Sequence, residues 1–455
     1  MKRKWLNFDV TILGLSKSGI SAAKYLADKG ANCTISEKRE STPEDQEKIK
    51  ELEDLGIKVE MGSNKPETIM HSDVIITSPG IPPHSEVMQL IKSHNIECIG
   101  ELELAYRETG KPFIAITGTN GKTTTTKLVS EILTKGGFKA PACGNIGIPA
   151  TEFIDKDMDF FVAEVSSFQI ATSKTFKPQI AVFLNYTPDH IDWHGDEEEY
   201  FRVKASLFTE RQPAWAVLNA KSLKIAYLKL DIPSETWFFN RESEDKSVFC
   251  SDGKIFLKDE EKKVHEIMEL SEVPLKGKHN LENVMAAITV AHIVGVNHEV
   301  IKQAIMEFTP PEHRLEFVAE INGVEYYNDS KGTNCDSTIC ALRAFETQKV
   351  VLIAGGRDKG TDLTEFAREV KKRAAAVILI GEAADRFDLA LKKEGMENIY
   401  REKTFEAAID KAGELKLGPV LLSPACASFD MFKNFEERGK VFKEYVLKKK
   451  TVRSC

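Results

Sequence analysis

A short polar loop between an apolar run and a helical run is the most informative chemical feature of this 455-residue sequence. Residues 114–117 are apolar or β-branched and predict a buried strand, which the loop Gly-Thr-Asn-Gly at 118–121 follows. Lys122 and Thr123 come next and lead into a helix-compatible run over 124–133. Glycines let backbone N–H groups face phosphate oxygens, while the Lys and Thr side chains can reach the outer phosphates and Mg²⁺. The sequence therefore predicts a nucleoside triphosphate site.

Three polar features follow the loop and could complete its chemistry. Glu164 ends an apolar run, where a carboxylate can touch Mg²⁺ or simply favour a helix N-terminus. Residues 185–194 contain two Asp and two His, which suit Mg²⁺, although such a cluster could instead bind zinc. Lys204 lies on a helical stretch at 200–208, and its chemistry alone indicates a solvated surface residue.

Two segments near the C-terminal end and one near the start have alternative interpretations. The segment 328–334 (Asn-Asp-Ser-Lys-Gly-Thr-Asn) could contact phosphate or form an Asx-rich turn. The small residues of 423–430 could admit a ligand or form a strand-to-helix loop with an N-cap. At the start, the glycine turn between Gly14 and Gly19 fits either a dinucleotide-type site or plain helix packing.

The elements that position these residues alternate between strands and helices. Apolar runs at 10–13, 73–77, 350–354 and 376–380 predict buried strands, and helical periodicity separates them. Such alternation indicates an α/β fold with parallel, doubly wound sheets and ligands at the carboxyl ends of the strands. The length predicts two to three domains. Breaks at Gly110-Lys-Pro112 and Pro310-Pro311 lead us to divide the chain into residues 1–102, 103–310 and 311–455.

Composition narrows the class of protein. The net charge of −8 argues against nucleic acid or an anionic membrane as a partner. No apolar run approaches the roughly 18 residues that a membrane helix needs. Eight cysteines without a C-x-x-C pair indicate reduced thiols. We therefore expect a cytoplasmic enzyme.

Seven ordered motifs are similar to those of the Mur ligase family. They span nearly the whole chain and read TGTNGKTTT, AEVSSFQ, NYTPDHIDWHG, GKHNLENVMAAI, PPEHRLE, NDSKGTN and SPACASFDMFKNFEERGKVF. The resemblance implies an N-terminal Rossmann-like uridine-nucleotide domain, a central P-loop ATPase-like domain and a C-terminal Rossmann-like domain. It also implies an ATP-dependent, amide-forming ligase of peptidoglycan precursor synthesis that works through an acyl phosphate. The last motif best resembles members that join UDP-N-acetylmuramoyl-L-alanine and D-glutamate. We expect ATP and two Mg²⁺ ions as cofactors and a monomer.

The resemblance further implies roles for residues at matching motif positions. It implies catalytic roles for Lys122, His190 and Lys204, the last as a carbamylated, metal-binding lysine. The implied metal ligands are Thr123, Glu164, His190 and Lys204. Implied ATP contacts are Gly118, Thr119, Asn120, Gly121, Lys122, Thr123, Thr124, Asn280, Asn283, Arg314, Asp329 and Lys331. Implied substrate contacts are Ser16, Gly19, Ser78, Pro79, Gly80, Asn145, Thr333, Lys359, Ser428 and Phe435.

Two alternatives stay open at this stage. Where relatives carry Asp-Thr-Arg after the second strand, this chain has Ser36-Glu37-Lys38, so the uracil contacts are not assigned and an NAD site is the alternative. A nucleotide-dependent switch protein, which would use the loop only to sense ATP, is the competing class of function.

Overall fold

The computed structural model describes residues 5–275, 277–345, 348–358 and 360–452, without the side chains of residues 192, 451 and 452. The chain divides into two compact units. The first unit consists of the chain up to Val273 together with Glu282–Phe308. The second consists of Pro274–Leu281 together with the chain from Thr309 onward. The predicted domain boundaries after residues 102 and 310 stay predictions.

The first sheet, in the first unit, is fully parallel. Its five strands lie in the order β3-β2-β1-β4-β5. They are β1 (Asp9–Leu13), β2 (Asn32–Glu37), β3 (Lys58–Met61), β4 (Val74–Thr77) and β5 (Glu97–Gly100). The helices that accompany them are α1 (Lys17–Asp28), α2 (Asp45–Asp54), α3 (Pro66–Met70), α4 (Glu86–Ser93) and α5 (Glu101–Thr109). The strand order reverses between β1 and β4, which is where open α/β sheets bind ligands.

The second sheet, also in the first unit, has nine strands in the order β14-β13-β12-β11-β10-β9-β6-β8-β7. They are β6 (Phe113–Thr117), β7 (Ala142–Gly144), β8 (Phe161–Glu164), β9 (Ile180–Phe183), β10 (Trp215–Asn219), β11 (Glu235–Phe239), β12 (Ser247–Ser251), β13 (Lys254–Lys258) and β14 (Val264–Glu269). The strands from β7 to β12 pair in parallel, and β12, β13 and β14 pair antiparallel. Every residue of β6, β8 and β9 is buried, as expected for parallel strands covered on both faces.

Seven helices accompany this second sheet in the described part of the chain. They are α6 (Lys122–Lys135), α7 (Ser167–Ala171), α8 (Ile191–His194), α9 (Glu197–Thr209), α10 (Leu223–Ala226), α11 (Lys278–Val294) and α12 (His298–Glu307). Helix α11 begins in the second unit and continues in the first. Among the described residues, no helix is both long enough and apolar enough to cross a bilayer.

The third sheet forms the core of the second unit. Its strand order is β15-β16-β20-β17-β18-β19, and only β15 runs antiparallel to its neighbour. The strands are β15 (Glu316–Ile321), β16 (Val324–Asn328), β17 (Val350–Gly355), β18 (Ala374–Ile380), β19 (Ile399–Arg401) and β20 (Val420–Leu422). The helices are α13 (Cys335–Arg343), α14 (Thr364–Arg373), α15 (Ala384–Lys393), α16 (Phe405–Leu415) and α17 (Phe435–Val452).

Alternate residues of β17 belong to two different hydrophobic clusters. Leu352 and Ala354 pack into one cluster, and Val351 and Ile353 into the other. The third sheet therefore has a covered core on each face, because successive side chains of a strand point to opposite sides. The α/β prediction is confirmed. The apolar runs did not predict strands β3, β5, β7, β10, β15 and β19.

Candidate active site

The predicted phosphate loop connects β6 to α6 and is fastened to the chain that follows β9. The backbone N–H of Thr119 donates to the Asn185 carbonyl at 3.1 Å, and its hydroxyl donates to the Thr187 carbonyl at 2.9 Å. The Asn185 side chain makes two more bonds with Asn120, accepting from its N–H at 2.8 Å and donating to its carbonyl at 3.0 Å. Since β9 and β6 are neighbours, these bonds fix the loop at the carboxyl edge of the sheet.

Lys122, the first residue of α6, folds back over the loop. Its Nζ donates to the carbonyls of Gly118 at 2.8 Å and Thr119 at 2.7 Å. Thr123 and Thr124 follow it and are buried in the first turn of the helix. A cation held over loop carbonyls at a helix N-terminus is placed to exchange them for phosphate oxygens.

Lys204, on α9, contacts the same loop. The Nζ donates to the Gly118 carbonyl at 3.0 Å and lies 4.8 Å from the centre of the Tyr200 ring. The residue is 1% exposed, so the surface position that its chemistry alone predicted is wrong. Burial and the nearby Lys122 charge lower the pKa of its amine well below the usual value, against the opposing effect of Asp189. Lys204 is therefore a buried amine whose surroundings favour the neutral form over the ammonium.

Glu164 stands at the end of β8 beside the phosphate loop. One carboxylate oxygen accepts from the Thr123 hydroxyl at 2.7 Å, and the other accepts from the Asn145 side-chain amide at 2.9 Å. Asn145 is held in turn by its own N–H, which donates to the Glu164 carbonyl at 2.9 Å. The structure thus brings together three predicted site residues from β8, α6 and the turn after β7.

His190 lies at the start of α8 in a left-handed backbone conformation, with φ of 55°. Its N–H donates to Asp189 at 2.9 Å, and its ring packs edge-on against Phe168 at 4.8 Å. Left-handed conformations are uncommon for residues other than glycine, although Asn, Asp and His adopt them more often than the rest. Among the described side chains, no three His, Cys, Asp or Glu residues are arranged to hold a metal ion.

Sequence reasoning missed several residues that shape this site. Asn185 holds the phosphate loop, and Tyr200 covers Lys204. Ser167 is another: its Oγ shares a hydrogen bond at 2.9 Å with Nε2 of His194, which is a buried histidine of the predicted 185–194 cluster. A polar residue directly after an apolar run was the only available signal for Asn185. Tyr200 carries no such signal, because its role depends on a helix packing against a loop about 80 residues earlier.

The N-terminal candidate residues meet where the strand order of the first sheet reverses. The Ser16 hydroxyl accepts from the Gly19 N–H at 3.3 Å and caps α1. A Cβ on Gly19 would lie 2.4 Å from the Gly14 carbonyl oxygen, so only glycine allows this close approach of helix and strand. Ser78 directly follows β4 and is followed by Pro79 and Gly80. A Cβ built on Gly14 would lie 3.3 Å from the Cβ of Ser78.

Glu37, in the segment that departs from the family pattern, has a structural partner at this point. Its carboxylate accepts from the Leu15 N–H at 2.9 Å and from the Arg39 N–H at 3.1 Å. It thereby anchors the glycine turn after β1 to the end of β2.

In the second unit, Asp329 is a buried candidate residue whose contacts join several segments. It accepts from the Ser423 hydroxyl at 2.7 Å and from the Leu315 N–H at 3.2 Å. Burial raises the pKa of its carboxyl to about 6, and Ser423 and the Arg314 guanidinium oppose that shift. The ends of β16 and β20 and the segment before β15 therefore meet at this carboxyl.

Two loops of the second unit are joined by buried contacts. Arg438 is fully buried and donates to the Ser330 carbonyl at 2.7 Å and to the Cys426 carbonyl at 3.2 Å. Lys331 Nζ lies 5.2 Å from the centre of the Phe435 ring. The loop with Lys331 and Thr333 is therefore joined to the loop with Ser428, and sequence reasoning did not single out Arg438.

Three predicted residues remain. Asn280 and Asn283 lie in the first turns of α11, one in each unit. Asn283 is buried against the phosphate loop, because a Cβ on Gly121 would lie 2.2 Å from its Oδ1. Lys359 lies outside the described residues.

Comparison with known proteins supports the motif-based hypothesis. Residues 116–291 match the Mur ligase middle domain, 8–100 the Mur ligase MurD-like N-terminal domain, and 313–426 the Mur ligase glutamate ligase domain. UDP-N-acetylmuramoylalanine–D-glutamate ligase of Koribacter versatilis is 42% identical, with 96% of this chain and 97% of that protein covered. The enzyme of the same name from Caldanaerobacter subterraneus subsp. tengcongensis is 39% identical, with 96% and 98% covered.

A solved structure shows the same fold. UDP-N-acetylmuramate–alanine ligase of Thermotoga maritima superposes with a TM-score of 0.64 at 17% identity, covering 97% of this chain and all of that one. Such a distant structure supports the fold alone. With the high identity of the full-length relatives, these comparisons show that the chain belongs to the Mur ligase family.

Proposed function

We propose that this protein joins D-glutamate to UDP-N-acetylmuramoyl-L-alanine at the expense of ATP. Full-length relatives that carry this name support the choice of substrates. The observation that carries the proposal is the convergence of Lys122, Glu164 and Lys204 around one phosphate loop. A simple nucleotide-binding module does not need a second, deprotonatable lysine at that point.

The chemistry requires two steps. A carboxylate oxygen of the muramoyl substrate attacks the γ-phosphorus of ATP, so that an acyl phosphate forms and ADP leaves. The amine of D-glutamate then attacks the acyl carbon, phosphate leaves with the bridging oxygen, and the nitrogen loses a proton. Both steps bring anions together, so positioning and charge neutralisation supply most of the catalysis.

The phosphate loop and Lys122 serve the first step in this proposal. The N–H groups of the loop and of the first turn of α6 bind phosphate oxygens, and Lys122 moves from the loop carbonyls to the terminal phosphates. The bonds from Asn185 keep the loop from moving with the lysine. Preformed loop geometry lowers the entropic cost of aligning the two reactants.

Thr123 and Glu164 have the donor chemistry for Mg²⁺. Both present oxygens, 2.7 Å apart, and Mg²⁺ in phosphoryl-transfer sites needs only one or two protein ligands beside the phosphates and waters. Bound there, Mg²⁺ neutralises charge on the transferring phosphoryl group. We place His190 at a second ion, on the family resemblance.

Lys204 fits the carbamylated residue that the family resemblance implies. A neutral lysine amine is the form that reacts with CO₂, and burial beside Lys122 favours that form. In this reaction the lysine nitrogen bonds the carbon of CO₂ and loses a proton, so that the amine becomes an N-carboxylate. The new negative charge would lie beside Lys122, which disfavours the ammonium and favours the carbamate.

We assign the remaining substrate contacts by the same resemblance. Ser16 and Ser78 lie at the topological switch point, which suits the uridine nucleotide. In the second unit, Thr333 and Ser428 lie on joined loops and are assigned to D-glutamate. Lys359 is assigned to the carboxylate of that amino acid. We also infer a cytoplasmic, monomeric enzyme, which fractionation and gel filtration would test.

A substrate-omission experiment tests the proposal. ADP release should require ATP, UDP-N-acetylmuramoyl-L-alanine and D-glutamate together, because neither half-reaction turns over alone. ADP release of equal rate with L-glutamate or another amino acid would contradict the choice of D-glutamate. ATP binding without any acceptor-dependent ADP release would instead indicate a switch protein.

A further inference from the structure

A polar network at the carboxyl ends of β9, β10 and β11 holds a carboxylate outside the residues assigned so far. Glu282 accepts from the Asn240 side-chain amide at 2.9 Å and from the Asn219 side-chain amide at 3.2 Å. Asn219 also donates to the Leu184 carbonyl at 2.8 Å. These contacts connect three neighbouring strands to the start of α11 through one side chain.

The backbone around this network is unusual. Asn240 follows β11 with a φ of 78°, a left-handed conformation that Asn and Asp tolerate better than other residues. Its N–H donates to the Val248 carbonyl at 2.8 Å, which holds the backbone of Asn240 against β12. Asn219 and Asn240 are themselves buried, so bulk water does not compete with Glu282 for their amide N–H groups.

The residue after Glu282 touches the phosphate loop. Asn283 is 2% exposed, and a Cβ on Gly121 would lie 2.2 Å from its Oδ1. Gly121 has a φ of 81° and immediately precedes Lys122. The position of Asn283 against the loop therefore depends on how the first turns of α11 are held, and Glu282 is a side chain in those turns that is tied to the strands.

A carboxylate is a costly way to tie a helix to a sheet. Burial raises the pKa of Glu282, and the Asn240 amide, the Lys221 charge and the Asn219 amide oppose that shift. The Asn240 and Asn219 amides each donate to one oxygen of the Glu282 carboxylate, and these two hydrogen bonds define the orientation of the side chain. An apolar contact has no such directional preference. The chemistry indicates that orientation, rather than stability, is what this group contributes.

We propose that Glu282 is a positioning residue for ATP, acting through Asn283. The inference rests on the proposed function, because it takes the loop at 118–121 as the ATP phosphate site. Glu282 fixes the distance between Asn283, where we expect an adenine contact, and the loop that binds the phosphates. We call the hydrogen bonds of Glu282 with Asn219 and Asn240 the tether. Without the tether, the separation between Asn283 and the phosphate loop is no longer fixed, and ATP binds less tightly.

The variant that tests this is Glu282→Gln, which keeps the size and removes one acceptor. Its amide oxygen can still accept from Asn219, but its NH₂ then faces the NH₂ of Asn240. Losing a buried bond of this kind predicts an ATP Kd raised about tenfold. The double variant Glu282→Gln with Asn240→Asp restores an acceptor opposite the new donor, and Asp tolerates the left-handed backbone.

The ATP Kd is measured by calorimetry on the full chain without acceptor substrates, so that it does not depend on ligase activity. We expect a raised Kd in Glu282→Gln, recovery in the double variant, and no change in the surface control Glu299→Gln. The unfolding midpoint of each variant shows whether a loss of stability accounts for the change. The KM for ATP should follow Kd, while kcat changes less than threefold.

Two results would overturn the inference. The first is an ATP Kd in Glu282→Gln within twofold of the original chain. The second is a raised Kd that the double variant does not recover. If the chain binds ATP and Glu282→Gln weakens binding, but no substrate combination releases ADP, the proposed function fails while the tether stands. Absence of ATP binding in the original chain would refute both.

Discussion

Replacing Glu164 by Gln should weaken the response to Mg²⁺ without unfolding the protein. The carboxylate is 2% exposed and accepts from Thr123 at 2.7 Å and from Asn145 at 2.9 Å. The amide oxygen can keep the bond from Asn145, and the Thr123 hydroxyl can rotate to accept from the new NH₂. Both hydrogen bonds therefore survive, and the negative charge is what the substitution removes.

The size of the effect follows from the lost charge. Interactions with charged groups are worth about 1.5–3 kcal/mol, against about 0.5–1.5 kcal/mol for neutral pairs. A loss of about 1.5–3 kcal/mol corresponds to about a 10- to 150-fold rise in the Mg²⁺ concentration that gives half-maximal activity. The unfolding midpoint should stay the same or rise slightly, because a buried charge has been removed.

The assay is acceptor-dependent ADP release during a Mg²⁺ titration, with Glu131→Gln as the control. Glu131 lies on the exposed side of α6, the helix that carries Thr123, so its loss of charge should leave the titration unchanged. An unchanged Mg²⁺ midpoint in Glu164→Gln would refute the reasoning. A shift of equal size in Glu131→Gln would show that overall charge, and not the site, sets the response.

Three further predictions follow from the geometry. Lys204→Ala should lose most ligase activity and regain part of it when short carboxylic acids are added. Full activity without them would exclude a carbamate on Lys204. In the original chain, ¹³C NMR with ¹³CO₂ detects the carbamate directly. Gly144→Ala should lower the free energy of unfolding by more than about 1–2 kcal/mol, because φ is 85° and the new Cβ would lie 2.5 Å from the Glu164 carbonyl. The control Gly147→Ala, at φ of 102° with no atom within 4 Å, should show only the backbone cost, and equal losses would contradict the clash. Burial and the neighbouring His292 and His265 lower the pKa of His298. As the pH falls, His298 therefore takes up a proton in the unfolded chain before it does so in the folded one, and stability should fall below about pH 6.5. If His298→Asn left the pH dependence of the urea midpoint unchanged, this prediction would be contradicted.

Local features of the sequence were sufficient to predict the phosphate loop. Strand β6, the glycines and the start of α6 are contiguous, and each is favoured by its own residues. By contrast, β3 is a short, charged edge strand, Lys58–Met61, without an apolar run. Strand β15 is an edge strand too and pairs antiparallel with β16, which the pattern of alternating strands and helices did not indicate.

The candidate site was predicted as separate pieces rather than as an arrangement. Glu164 was recognisable because a carboxylate ends a buried strand. Lys204 was not, since its burial depends on Gly118, 86 residues earlier in the chain. Only the family resemblance assigned it a role before its position was known. Glu282 gave no signal either, because its partners lie on strands separated from it by long stretches of chain.

The acyl phosphate is the central claim, and the fate of a labelled oxygen tests it most directly. UDP-N-acetylmuramoyl-L-alanine labelled with ¹⁸O in its carboxylate is incubated with the enzyme, ATP and D-glutamate, and the phosphate released is analysed by mass spectrometry. We predict one ¹⁸O atom in the phosphate for each amide formed, because the carboxylate oxygen that attacks the γ-phosphorus leaves with it. Unlabelled phosphate alongside full amide formation would contradict the account.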